Sequence, residues 1–132
     1  MQQGVLFISS SAEDANALTG MLGPLSIPLK HATDLRFART ALDSEKYGVI
    51  LTEARLADGN WEDVINIVEK QDPSCAVVVT HPFADARFWA DAIETGAYDV
   101  LAQPFCCSEV QRILSNALSS PVELKRLSRA AI

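Results

Sequence analysis

Positive charge is scarce in this chain: 11 Lys and Arg stand against 17 Asp and Glu, giving a net charge of −6 and a pI near 4.8. A surface that grips phosphates needs clustered cations, so nucleic acid and anionic membranes are excluded as partners of this domain. No apolar run approaches the ~20 residues of a membrane span, and the N-terminus lacks the basic-then-apolar order of a signal sequence. A cytoplasmic location is therefore expected. Cysteine is also sparse, with Cys75 and the adjacent Cys106 and Cys107 as the full set. An odd number without a CxxC spacing excludes a disulfide framework and a zinc site, and all three are expected to be reduced and structural. His31 and His81 have no second histidine or cysteine close by in sequence, so no metal is expected, and His81 reads as an ordinary loop histidine. No Ser-His-Asp or Cys-His arrangement is legible, and there is no internal repeat or low-complexity segment.

What is present is a good supply of core. Of 132 residues, 48% are apolar and 21% charged, the balance of one soluble globular domain. The order of elements carries most of the information. "VLFISS" (5–10) is an apolar strand ending in serines. "SAEDANALTGML" (11–22) follows as a helix, with Ala12, Ala15, Leu18 and Leu22 at helical spacing and Ser10 with Glu13 as a capping box. After "GPLSIP", "LKHAT" (29–33) reads as an edge strand and "DLRFARTALDS" (34–44) as a helix capped by Asp34 or Thr33. "YGVILTE" (47–53) is a continuous apolar strand that ends on a carboxylate, Glu53, and gives way to an "ARLADGN" loop. Asn60 caps "WEDVINIVEKQ", and "CAVVVT" (75–80) is a fourth strand without alternation. "ADARFWADAIET" (84–95) is a helix stopped by Gly96, "YDVLAQ" (98–103) a fifth strand ended by Pro104, and a last helix capped by Ser108 and Gln111 runs through Leu118.

Strand and helix alternate five times. The expected fold is α/β: a doubly wound, flavodoxin-like sheet of five parallel strands in the order 2-1-3-4-5, covered by helices on both faces. Ligand crevices in such sheets open at the carboxyl ends of strands one and three, so Ser9, Ser10 and Glu53 are expected to converge, with Thr80 and Gln103 on the same rim. The domain is expected to span residues 1–118. Residues 119–132, "SSPVELKRLSRAAI", read as a short helical tail or the start of a linker to an output domain.

These pieces resemble the receiver domain of two-component response regulators over residues 4–118. The resemblance rests on "VLFISS", "VILTEARLADG", "VVVTH" and above all "ETGAYDVLAQPF", which is similar to the receiver stretch of Gly-Ala, apolar strand and Lys-Pro-Phe. It implies a site in which an Asp nucleophile sits near Mg²⁺ held by two acids, with a Lys reaching the phosphoryl group. In this sequence the two acids fall on Ser9 and Ser10, the nucleophile on Glu53, the Lys on Gln103 and the aromatic switch on Val100. Thr80 and Pro104 keep the pattern. Mg²⁺ is a hard cation typically held by carboxylates, and phosphoryl transfer depends on neutralising the equatorial oxygens. A glutamate also carries its oxygens ~1 Å further out, a displacement that costs ~10²-fold in positioned chemistry.

Three readings of Glu53 stand open: a carboxylate hydrogen-bonded by Ser9 or Ser10, Thr80 and Gln103; a fixed imitation of a phosphorylated Asp; and an acid that simply points into solvent. The aromatic residues Phe88, Trp89, Tyr98 and Phe105 gather around the fourth helix and fifth strand, the face receivers commonly use for dimer or partner contacts. Phe88 and Trp89 are adjacent, so one of them is expected to be partly exposed. The expected function is that of an atypical receiver: no enzyme and no cofactor, but a signalling module that contacts a protein partner, a second copy, a histidine kinase or an output domain. A phosphorelay receiver with residual phosphorylation is the alternative. A weaker alternative is a flavodoxin-like ligand-binding module, in which the Ser9-Ser10-Ser11 loop takes a phosphate.

Overall fold

Each strand and helix expected up to Leu118 forms in the computed structural model, which describes residues 4–120. In chain order these are β1 (Gly4–Ile8), α1 (Ala12–Leu22), a short 3-10 turn (Gly23–Leu25), β2 (Leu29–Ala32), α2 (Leu35–Ser44) and β3 (Tyr47–Glu53). There follow β4 (Arg55–Leu56), β5 (Gly59–Asn60), α3 (Trp61–Gln71), β6 (Ala76–His81), α4 (Ala86–Thr95), β7 (Asp99–Ala102) and α5 (Cys107–Ser119). The five main strands are parallel in the order β2-β1-β3-β6-β7, which is the expected 2-1-3-4-5 arrangement. The helical tail expected over 119–132 lies almost wholly outside the described residues.

Continuous apolar strands make sense once both faces are covered. Alternate residues feed opposite cores: Leu6, Ile8, Ile50, Val77 and Val79 pack under α2, α3 and α4, while Val5, Phe7, Val49, Leu51 and Val78 pack under α1 and α5. Such a side chain contributes ~1.5–3 kcal/mol when fully buried, and two such layers fix the sheet so firmly that the strand tips are held in one register. Gly96 ends α4 as expected, at a φ of 122° that other residues rarely adopt. Asn60 caps α3 in a reciprocal pair with Asp63, and Asp34 caps α2.

Three local expectations need correction. Ser11, not Ser10, caps α1, and its hydroxyl accepts from Asp14 N–H at 3.1 Å. In a run of three serines the one whose own backbone is extended just before the first helical turn takes the role. Cys106, not Ser108, stands at the N-cap of α5, because the helix begins at Cys107 and encloses Ser108 in its first turn. The loop after β3 is not irregular: Arg55 pairs with Asn60 and Leu56 with Gly59 in a small antiparallel ribbon. Asp58, at the turn of that ribbon, accepts from Leu35 N–H at 2.9 Å and Arg36 N–H at 3.3 Å, so it ties the ribbon to the first turn of α2. The fit is tight, since a Cβ on Gly59 would lie 2.4 Å from Leu35 Cδ1.

Candidate functional site

The parallel register brings the tips of β1, β3 and β6 to one rim. Ile8 is in register with Thr52 and Glu53 with Thr80, so the chain leaving β1 passes beside the end of β3. There Ser10 N–H donates to Glu53 Oε1 at 3.0 Å. Glu53 is thus neither a free solvent-facing acid nor the centre of the expected three-donor cluster. Of the candidate donors only Ser10 engages it, and through the main chain. The Ser9 side chain is fully buried and its hydroxyl accepts from Ser11 N–H at 2.9 Å, which shapes the turn into α1. Thr80 stands next to Glu53 in register, yet its buried hydroxyl has no hydrogen-bond partner among the described residues.

Gln103 is turned to a different place. Its main-chain N–H reaches His81 O at 3.4 Å, while the residue lines a groove with Asp14, Ala17, Met21, Pro104 and Phe105 on the α1 side of the rim. It shares no hydrogen bond with Glu53. Gln103-Pro104 is a cis peptide bond. Val100 is buried in the core under α4, and its N–H donates to Asp99 Oδ1 at 2.7 Å.

Two further residues shape the rim without a signal in the sequence. His31, in the middle of edge strand β2, donates from Nε2 to Ser9 O at 2.7 Å and stacks on Phe7, so it holds the end of β1 from the side. His81 Nδ1 accepts from Phe83 N–H at 2.8 Å, and its ring packs on Phe88 at 4.7 Å between centroids. Its role is to fold the loop after β6 back on itself. The result is a cleft of about 370 Å³ lined by Glu53, Ala54, Arg55, Thr80, His81, Pro82 and Phe83, with Phe83 81% exposed at its mouth.

The serine loop is not organised to bind phosphate. Ser9 N–H donates to Ala32 O, Ser10 N–H to Glu53, Ser11 N–H to the Ser9 hydroxyl and Asp14 N–H to the Ser11 hydroxyl. Those main-chain donors are spent inside the fold, and Glu13 and Asp14 add negative charge in the first turn. Nor does the donor set around Glu53 fit Mg²⁺. One carboxylate with one oxygen already engaged, two hydroxyls and no second acid offer too little charge for a hard divalent cation. Among the described residues no group of three or more His, Cys, Asp or Glu side chains is placed to hold a metal ion.

The aromatic residues divide. Trp89 is half-exposed on α4, with Nε1–H 3.4 Å from Asp99 Oδ1, whereas Phe88 turns inward against Trp61 and His81. One exposed member of the adjacent pair is what their positions on a single helix require. Tyr98 and Phe105 are half-buried against the core under α1 and α5, and the Tyr98 hydroxyl bonds that of Ser120. The cysteines divide as well. Cys75 is buried, its thiol donating to Tyr47 O. Cys106 and Cys107 are free thiols too, as expected, but they stand exposed at the start of α5. The Ser108 hydroxyl, together with the N–H groups of Glu109 and Ser108, holds the Cys106 thiol below the usual cysteine range.

Known proteins share this architecture. No family model matches the chain. It is 23% identical over 117 residues to the response regulator protein PilR of Pseudomonas aeruginosa, covering 89% of this chain and 26% of that protein. It is 28% identical over 108 residues to the DNA-binding transcriptional regulator NtrC of Proteus hauseri, covering 82% of this chain and 22% of that one. The chain therefore spans about a quarter of the length of these curated relatives. Among solved structures, the receiver domain of a Pseudomonas aeruginosa sensor histidine kinase, determined with a magnesium ion in its active-site cleft, superposes with a TM-score of 0.78. That match is 21% identical and covers 91% of this chain and all (100%) of the other. In sequence similarity and in fold alike, this chain has the architecture of a response-regulator receiver domain.

Proposed function

We propose that the chain is an atypical receiver that signals through protein contact and does not depend on Mg²⁺-assisted phosphorylation of an aspartate. The observation that carries this reading is the environment of Glu53. Its carboxylate stands where the resemblance puts the phosphoacceptor, one oxygen taken by Ser10 N–H, with Ser9 and Ser10 in place of acids and Gln103 turned away in place of a Lys. Phosphoryl transfer relies on fixed positive charge around the moving group, and these residues supply none. In this reading the module is no enzyme and needs no cofactor. It is held in one state, and the α4–β7–α5 face, where Trp89 stands exposed, meets a second copy, a kinase or an output domain.

The test is direct. Incubation of the full chain with Mg²⁺ and acetyl phosphate is expected to leave its intact mass unchanged. A stoichiometric added phosphate, lost in Glu53→Ala, overturns the reading and establishes a working phosphorelay receiver.

A further inference from the structure

The cleft between the tips of β3 and β6 holds a carboxylate that forms no ion pair among the described residues, and we infer that a protein partner seats an arginine side chain against Glu53. This rests on the reading of the site as a contact surface and goes beyond it by naming the chemistry of the contact.

Four observations converge. The Glu53 carboxylate accepts one main-chain N–H and, among the described residues, forms no ion pair, since the pairs present are Lys30–Glu45 and Arg112–Glu109. A carboxylate has about four lone-pair sites, and Glu53, which lines the cleft, has one recorded bond, so it keeps acceptor capacity for a ligand. Next, Thr80, 1% exposed, holds the only hydroxyl around Glu53 that is buried without a partner among the described residues, and it lines the same cleft. A buried hydroxyl without a partner is a cost that is removed when a donor arrives. Third, the walls are flat and apolar: Pro82, the His81 ring and Phe83, the last 81% exposed. Finally, the volume of about 370 Å³ is ample for one long side chain.

These features select a planar cation. A guanidinium donates along several fixed directions, forks onto a carboxylate and stacks its face on an aromatic ring, whereas an ammonium is a strongly hydrated point charge that gains less from Phe83. The chain's net charge of −6 draws a basic segment toward it. Arg55 also lines the cleft, but it is exposed and forms no ion pair with Glu53, so the carboxylate stays open to a cation from outside.

The experiment titrates the full chain with acetyl-Gly-Arg-Gly-amide while following the amide resonances of Ser10, Thr80 and Phe83. The same titration is run with a norleucine twin of the peptide and with Mg²⁺. Saturable shifts at all three amides with the arginine peptide, absent with norleucine, are expected. Glu53→Gln, which keeps an acceptor for Ser10 N–H, is expected to weaken binding by at least about tenfold, the loss of one charge-assisted contact. Phe83→Ser, at an exposed position whose main-chain bond to His81 the substitution keeps, is expected to weaken it several-fold. No saturable shift, an equal response to norleucine, or undiminished binding by Glu53→Gln overturns the inference. A lysine peptide binding more tightly than arginine overturns the choice of cation. Saturation by millimolar Mg²⁺ sinks instead the reading of the site as metal-free, and the peptide arm is scored separately.

Discussion

Two buried hydroxyls flank β3, that of Tyr47 at its start and that of Thr80 on β6 beside its tip, and their surroundings differ. At the start, Tyr47 is 3% exposed within the core under α2 and α3, and the strand is closed there by the Cys75 thiol donating to its carbonyl. At the tip, Thr80 lies beside Glu53 on the floor of an open cleft. An orphan polar atom sealed in a core is a pure loss of stability, whereas one bordering a cleft is available to a ligand. The difference teaches that an unsatisfied group points to function only where something can reach it.

Three measurements break or sharpen this contrast. The largest effect is expected from Leu51→Ala, which empties a fully buried position between the two ends and costs ~3 kcal/mol. In urea, tryptophan fluorescence from Trp61 and Trp89 and the far-ultraviolet dichroism are expected to move to the same lower midpoint. Separate midpoints for the two probes mean that the ends of β3 do not share one cooperative unit. Next, Tyr47→Phe deletes the sealed hydroxyl and is expected to stabilise the protein by ~1 kcal/mol. Burial, and after it the nearby Glu45 carboxylate, pushes the Tyr47 phenol up to about 12. The neutral phenol is thus favoured in the fold. Its contribution is complete below the unfolded tyrosine value near ~10 and is lost as pH rises through about 12. Alkaline unfolding monitored by phenolate absorbance is expected to lose its steepest part in Tyr47→Phe. The smallest effect is expected from Thr80→Val. Because solvent reaches the cleft beside it, the stability gain is a few tenths of a kcal/mol, below that of Tyr47→Phe. A gain equal to or above that of Tyr47→Phe erases the distinction between the two ends.

The interior of the fold was readable from residue type because burial on both faces leaves an unmistakable run of Val, Ile and Leu in β3 and β6, and a capping pair such as Asn60 with Asp63 announces itself by spacing. The rim was harder. Ser10 was singled out for its side chain, but the bond that matters to Glu53 comes from its main-chain N–H, which every residue except proline carries and which leaves no trace in composition. The grip of His31 on Ser9 O links positions 22 residues apart across neighbouring strands and needed the register to be seen. Gln103 illustrates the converse: its place after β7 was evident, but the turn at Pro104 carries it to the α1 side. The β4–β5 ribbon was missed because its strands of two residues each are too short for any periodic signal, and its anchor, Asp58, acts on a distant helix.

That anchor has a practical consequence for anyone who wishes to split, permute or splice this domain. Asp58 binds the ribbon to the opening of α2 while Gly59 sits close against the Leu35 and Asp63 side chains, so residues 54–60 behave as a rivet between two otherwise separate stretches of chain. New termini or inserted segments placed within that stretch cut the tie to α2.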